Sequence, residues 1–289
     1  KWVEPEELRE RIRSERYTGA LDSTGYFTMH PGKLVAGHAR AAMRLGAELF
    51  EHSPALEVRS GTPSEIVTPN GTVRAARVFV ATNAHAPRLG FFGRNVIPVH
   101  QYSLATRKLT EAEITSVGLD RWPLRFELRV LPVTTGLTPG GQMFVRIVLG
   151  YAGFNSCVWR DMEGARDYAR RIFEQRHPWL ADIGFAHGWH GVTGHTLRGR
   201  EIVGVVDGGN VHVSVAYNGL GVMPGHTNGY LTACRFAGRE DEDTRYLDSI
   251  SDQIRVPGEI LRSMMFKPAM KMLTPMRSLS SHFVRQLKG

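Results

Sequence analysis

The chain has 289 residues, 42% of them hydrophobic and 22% charged. That is an ordinary balance for a folded chain and excludes intrinsic disorder and collagen-like repeats. At roughly 150 residues per domain, the length allows one large domain or two small ones. Thirty-six Lys+Arg against 28 Asp+Glu give a net charge of +8. The basic residues are spread out, with small clusters at Arg9–Arg16, Arg170-Arg171 and Lys267–Lys288. There is no long Lys/Arg block, zinc-finger spacing or RNA-binding aromatic motif, so nucleic acid is not an expected partner. No run approaches the roughly 18 apolar residues of a membrane span, so no transmembrane segment is expected. Cys157 and Cys234 belong to no CxxC pair. No metal site is therefore expected, and a reducing, cytoplasmic compartment fits.

In chain order, residues 5–16 predict a short helix with Pro5 in its first turn. Tyr17–His30 reads as extended chain or a hairpin. Pro31 starts a second helix, with Leu34, Val35, His38, Ala42 and Leu45 on one side and Gly46 as its stop. His30 is placed to cap that helix or to face a ligand, and capping is the simpler reading. Short strands follow at Leu56–Val58 and Glu65–Thr68, with a hairpin turn at Pro69-Asn70-Gly71-Thr72. Arg77–Ala81 is apolar on both sides, as a strand buried in a covered sheet would be.

The next hundred residues predict long antiparallel strands at Val96–Arg107, Arg125–Val133 and Gln142–Leu149, with a turn at Pro139-Gly140-Gly141. Met162–Arg176 is an amphipathic helix stopped by Pro178. A strand at Ile202–Val206 turns through Asp207–Asn210 into Val211–Ala216, and a helix runs from about Met223 to Ala237. The last fifty residues read as helical or irregular, broken by Pro257, Pro268 and Pro275.

Three segments could carry chemistry. In the first, strand Val211–Ala216 empties into Tyr217-Asn218-Gly219-Leu220-Gly221-Val222-Met223-Pro224-Gly225 and then a helix. Glycines there allow close approach, and a helix N-terminus offers free N–H groups to electron-rich ligands. Gly225, Gly229 and Ala233 form a small-residue stripe suited to close packing. A plain tight turn is the alternative. In the second, Val78–Val80 empties into Ala81-Thr82-Asn83-Ala84-His85, the position where open α/β sheets place ligands. A simple strand cap is the alternative. In the third, His190 and His195 lie in Gly188–Thr196, read as a glycine-rich loop. An aromatic and glycine lining for a flat ligand suits it better than a metal or acid–base pair, because no carboxylate lies near before Glu201. Ser23, Ser103 and Ser214 lie in no nucleophile elbow, and Cys157 has no nearby His.

Taken in order, several segments resemble the FAD-dependent amine and amino-acid oxidases, which include D-amino-acid, glycine, sarcosine and γ-glutamylputrescine oxidases. The resemblance runs through Tyr17–Leu21, His30–Leu34, Ala39–Ala42, Gly46–Glu51 and Ala81–Ala84. It continues through Trp189-x-Gly191, Thr193-Gly194-x-Thr196 and Tyr217–Val222. His30-Pro31 and the basic, proline-broken tail are most similar to the γ-glutamylputrescine type.

The resemblance implies an α+β or α/β fold, in which a partial Rossmann-like FAD-binding domain is interleaved with an antiparallel-sheet substrate domain. Residues 31–86 and 188–240 would form the FAD side, and 87–187 the substrate sheet. Residues 1–30 would belong with that sheet, and 241–289 would be a helical tail. It implies FAD as cofactor and a small amine or amino acid as substrate. Hydride would pass from the amine-bearing carbon, the imine would hydrolyse, and electrons would go to O2 or another acceptor. Gly219–Met223 would sit over the flavin pyrimidine edge, with the helix dipole stabilising reduced flavin. Ala81, Thr82, Asn83, Gly191, Tyr217, Asn218, Gly219, Leu220, Gly221, Val222 and Met223 would contact FAD, and Ala55 its adenine. Arg146 and His195 would be the catalytic candidates.

One departure qualifies this. The family's G-x-G-x-x-G turn, which cradles the FAD pyrophosphate, occurs nowhere in the sequence. Together with a first residue Lys1 rather than Met, this implies a phosphate-binding unit before Lys1. Two other readings stand beside the oxidoreductase: a non-catalytic family member acting as a binding or partner subunit, and a basic binder of RNA or anionic membrane.

Overall fold

The computed structural model describes residues 1–12, 17–25, 28–127, 132–153, 162–206, 210–248 and 254–269. The elements in order begin with β1 (Trp2–Val3), α1 (Pro5–Ile12), β2 (Ala20–Leu21) and α2 (Pro31–Arg44). Strands β3 (Glu57–Arg59), β4 (Ser64–Thr68), β5 (Gly71–Ala75), β6 (Val78–Val80) and β7 (Ile97–Lys108) follow. Then come α3 (Glu111–Ser116), β8 (Leu124–Glu127), β9 (Val133–Leu137), β10 (Gln142–Tyr151) and α4 (Met162–Arg176). Strands β11 (His187–His195), β12 (Ile202–Val206) and β13 (Val211–Val215) lead to α5 (Val222–Phe236) and α6 (Glu242–Arg245). A further helix, α7, covers 259–269.

The expected combination of antiparallel sheet and mixed α/β unit is present. A five-stranded antiparallel sheet has the order β11-β7-β10-β9-β8. Its inner face carries Tyr102, Leu104, Met143, Val145 and Ile147, packed on Ala165, Ala169, Ile172 and Phe173 of α4. Strands alternate faces, so the neighbouring positions of β7, β10 and β11 project to the other side. A second sheet has the order β12-β13-β6, with β13 and β6 parallel. A third is the meander β3-β4-β5.

Several expectations are corrected. Arg125–Val133 is not one strand. Residues 128–131 lie outside the described residues, and the flanking β8 and β9 pair antiparallel with Glu127 opposite Val133, so the chain reverses between them. Strand β6, read as a buried strand of a covered sheet, has Val80 buried and Val78 and Phe79 half-buried, and among the described residues it pairs with β13. The β4–β5 turn is centred on Pro69-Asn70, since Thr68 pairs with Gly71, and only Gly71 takes a positive φ there. Gly188–Thr196 is mostly strand β11 rather than loop. The stripe Gly225, Gly229, Ala233 is not the packed side of α5, which buries Asn228, Leu231 and Thr232 instead. The turn at Asp207-Gly208-Gly209, the thiol of Cys157, and Tyr26-Phe27 lie outside the described residues.

Helix α2 starts as read, at Pro31, with His30 Nδ1 accepting from the Lys33 amide at 3.3 Å. It buries none of its residues, and Val35, Met43 and Leu45 are exposed.

A buried charge network ties the N-terminal segment to the large sheet. Arg176 of α4 is almost fully buried and donates from Nε to Glu127 Oε1 at 2.5 Å and from its second nitrogen to Oε2. Tyr17 donates its hydroxyl to the same carboxylate at 3.4 Å. Arg125 donates to the Val117 carbonyl at 2.7 Å and keeps Nε and a second guanidinium nitrogen without a partner. The neighbouring His177 is buried with Nδ1 unpartnered. Burial first, then Arg125 and Arg176, push its pKa down to about 3.

This arrangement predicts acid sensitivity. A buried neutral histidine stays unprotonated while the unfolded chain takes up a proton near pH 6.5, so unfolding is favoured as pH falls. The stabilisation is complete above pH 6.5 and is lost between 6.5 and the folded value, at about 1.4 kcal/mol per pH unit. Denaturant unfolding at pH 7.5, 6 and 5 should show this decline, and His177→Phe should lower its slope by about one proton's share, leaving that of His195, whose pKa is pushed down to about 4. A pH-independent midpoint in that window would contradict the assignment.

Candidate functional site

Strands β6, β11 and β13 end at one junction. After β13, Ala216 turns into positive φ (60°), as do Asn218 (55°) and Gly219 (80°). Positive φ is costly for residues other than glycine, so it persists only where neighbours hold it. Here side chains do so. Asn83, itself at φ 47°, accepts from the Ala216 amide at 3.1 Å. Asn218 accepts from the Thr196 amide at 2.9 Å and donates to the Ala216 carbonyl at 2.9 Å. Its own amide donates to the Gly194 carbonyl at 2.9 Å. Gly194 fits because a Cβ there would lie 3.0 Å from both Asn83 Oδ1 and the Ala216 Cα.

Tyr217 lies beneath the turn. Its hydroxyl donates to Ser214 Oγ at 2.7 Å, and Asn228 of α5 donates to the same oxygen at 3.0 Å. Its ring lies against Gly221, where a Cβ would sit 3.1 Å from Tyr217 Cβ. Helix α5 then begins at Gly221 with no side-chain cap, while Leu220, Val222 and Met223 are exposed. In the first turn of α5 the ligand-facing N–H groups are confined to Val222 and Met223, since Pro224 has none and the Gly225 amide bonds to the Gly221 carbonyl.

The large sheet turns its outer face to this junction. In register, Ser103 lies opposite Trp189 and Arg146, and Gln101 lies opposite Gly191 and Val148. Arg146 donates to the Gly219 carbonyl at 2.8 Å and to Thr134 Oγ1 at 3.0 Å. Burial pulls its guanidinium below the usual arginine value, though it stays cationic at neutral pH. A Cβ on Gly219 would lie 2.7 Å from Gln101 Nε2, so sheet and turn meet closely. His195 shares a 3.0 Å hydrogen bond with Thr193 Oγ1. Burial, then Arg146, push its pKa down to about 4, so the junction presents a neutral imidazole.

His190 and His195 are five apart on one strand and point to opposite faces. The His190 ring packs 5.8 Å from Tyr102, on the α4 side. The described residues contain no cluster suited to a metal ion.

Of the residues singled out from sequence, Asn83, Arg146, His195 and Tyr217–Gly219 meet at the junction. Ala81 and Thr82 are exposed at the exit of β6, and Gly191 is exposed on the outer face of the sheet. Ala55 is apart from them, exposed just before β3. Gln101 and Thr134 were not anticipated. The alternation Gln101, Tyr102, Ser103, Leu104 in β7 is the signal that separates an outer polar face from the core.

Sequence comparison gives the class of protein to which this junction belongs, a flavin-dependent oxidoreductase. The chain belongs to the family described as FAD dependent oxidoreductase (DAO), whose profile matches residues 1–235. It is 29% identical over 259 residues to the "Probable oxidoreductase OrdL" of Rhizobium meliloti (strain 1021), covering 89% of this chain and 57% of that protein. It is 36% identical over 78 residues to the gamma-glutamylputrescine oxidoreductase of Escherichia coli (strain K12), covering 27% of this chain and 18% of that protein. Among solved structures it is similar in fold to glycine oxidase from Geobacillus kaustophilus. The TM-score is 0.69 at 20% identity, over 84% of this chain and 64% of that one. The chain thus spans a little over half the length of the OrdL relative.

FAD is the cofactor of this family. The start of α5 is compatible in its chemistry with one end of it: the N-cap is Gly221, no side chain caps the helix, and Leu220, Val222 and Met223 are exposed beside it. The sequence contains no glycine-rich turn for the pyrophosphate.

Proposed function

We propose that the full-length protein oxidises the C–N bond of an amine or amino acid, using FAD. The observation that carries this reading is the convergence of the uncapped α5 turn with Arg146, Gln101 and His195 from the facing sheet. FAD, when bound, supplies the two-electron acceptor. Tyr217–Met223, Ala81–Asn83 and Gly191 hold its ring end, and Ala55 lies toward its adenine. The α5 amides and helix dipole favour negative charge at the ring edge. Arg146 fixes the turn through the Gly219 carbonyl, and His195 offers an uncharged imidazole beside it. Gln101, Ser103 and Trp189 face the substrate from the outer side of the sheet.

In this reading residues 31–86 and 188–240 form the FAD side. Residues 87–187, with 1–30, form the substrate side, and 241–289 form a C-terminal tail. A further unit supplies the phosphate cradle and covers the exposed apolar side of α2. A cytoplasmic location suits a chain with only two cysteines. The test is an absorbance spectrum of the full-length protein, followed by peroxide or dye reduction across a panel of amines and amino acids. A yellow, FAD-loaded protein bleached by one substrate class is the expected result. A colourless protein that takes up no FAD overturns the reading.

A further inference from the structure

Helix α7 is turned inside out. Its inward side is polar: Arg262 and Ser263 are buried, with Glu259 beside them. Arg262 donates to the carbonyls of Gly93 and Val96, both at 3.0 Å, and to Glu259 at 2.5 Å. Glu259 also accepts from the Tyr151 hydroxyl at 2.8 Å and from Ser263 at 3.0 Å. Gly153 admits this approach, because a Cβ there would lie 2.7 Å from Glu259 Oε1 and 2.9 Å from Ser263 Oγ. Phe266 stacks on Tyr151 at 5.7 Å between ring centroids. These bonds fix which side of the helix faces the protein.

The outward side is therefore held in water although it is apolar. Ile260 is 73% exposed, Leu261 53%, Met264 67% and Met265 53%. Ile254, just before the helix, is exposed as well. A contiguous apolar stripe of this kind marks an interaction surface. Charge identifies what it meets. Residues 254–289 hold seven of the chain's 36 Lys+Arg but only one of its 28 Asp+Glu. Six of the eight net positive charges thus sit in this last eighth of the chain. That one acid, Glu259, is already bonded to Arg262 and Tyr151. Apolar side chains within a cationic segment match the acyl boundary and headgroups of an anionic bilayer.

We propose that α7 docks the protein on an anionic phospholipid surface, lying in the plane of the interface, with the net positive charge of its sequence neighbourhood adding attraction. The helix is far too short to span, and no described helix is long and apolar enough to cross a membrane. The inference does not depend on the flavin reading. Orientation follows from the inward bonds: Arg262 and Glu259 point to the protein, and Ile260, Leu261, Met264 and Met265 point to lipid.

The test is flotation of the full-length protein with vesicles of phosphatidylcholine alone or with 30% phosphatidylglycerol added, a composition on the order of a charged cytoplasmic leaflet. Binding should be confined to the anionic vesicles and fall steeply between about 0.05 and 0.5 M salt, as surface charges are screened. The outward double variant Leu261→Ser/Met264→Ser should lose at least about tenfold in partitioning with an unchanged melting curve, because neither residue is buried. Absence of binding to anionic vesicles overturns the proposal. So does a dimer that the same variant breaks, which would make a second copy the cover. Binding that the variant leaves intact would place the lipid contact elsewhere and equally overturn it.

Discussion

Replacing Arg146 with leucine lowers the affinity of the full-length protein for FAD by roughly 10- to 100-fold, while its far-ultraviolet circular dichroism is unchanged. The estimate follows from the one bond lost to the turn itself, that to the Gly219 carbonyl. The guanidinium spans the Gly219 carbonyl and Thr134 Oγ1 at 2.8 and 3.0 Å. Hydrogen bonds from a charged donor contribute about 1.5–3 kcal/mol, and each 1.4 kcal/mol is tenfold in binding. Gly219 holds a positive φ between Asn218, also positive, and the uncapped start of α5. The turn is therefore freed at the position where the cofactor's ring end would rest. Arg146→Lys keeps one bond and the charge, and should fall between the two. Fluorescence titration of the apoprotein with FAD measures the effect. An affinity equal to that of the unmodified protein would mean that Arg146 does not position the turn.

The second large effect concerns stability. Glu127→Leu removes the only carboxylate placed between Arg125 and Arg176 by the described contacts, leaving two buried guanidinium groups facing each other. Breaking a buried ion pair from one side costs about 3–5 kcal/mol, because the remaining charge is uncompensated. For a chain of this size that lowers Tm by about 6–15 °C. Adding Arg176→Met should restore much of the loss, since a buried pair replaced on both sides by apolar groups is often near neutral. Calorimetry of the single and double variants separates the two outcomes. If the double variant is as unstable as Glu127→Leu, the loss comes from packing rather than charge.

What could be read from the sequence depended on how local each signal was. Helix α2, with Pro31 at its first turn, Gly46 after its end and an apolar side, was legible because each cue lies within one segment. The turn after Ala216 was legible for the same reason, since a strand, a glycine pair and a helix follow each other directly. Strand β11 was not. Gly188, Gly191 and Gly194 suggest a loop, yet nine residues pair with β7, which sets those glycines opposite Leu104, Gln101 and Pro98. Strands β8 and β9 merged in the sequence for a related reason. The apolar residues Leu124 and Phe126 point outward and Arg125 and Glu127 inward, the reverse of the pattern an alternation argument assumes. Gln101 and Thr134 join the site only through cross-strand register, which no single segment records.

The bond from the Ala216 amide to Asn83 joins positions 133 residues apart. During synthesis at about 5–20 residues per second, Asn83 waits roughly 7–27 s for its partner to be made. Through that interval β6 lacks β13, its parallel neighbour among the described residues, and the strained turn that both asparagines hold does not yet exist. The junction is thus a late event in the life of the nascent chain. Until β13 emerges, β6 lacks the one strand it pairs with among the described residues.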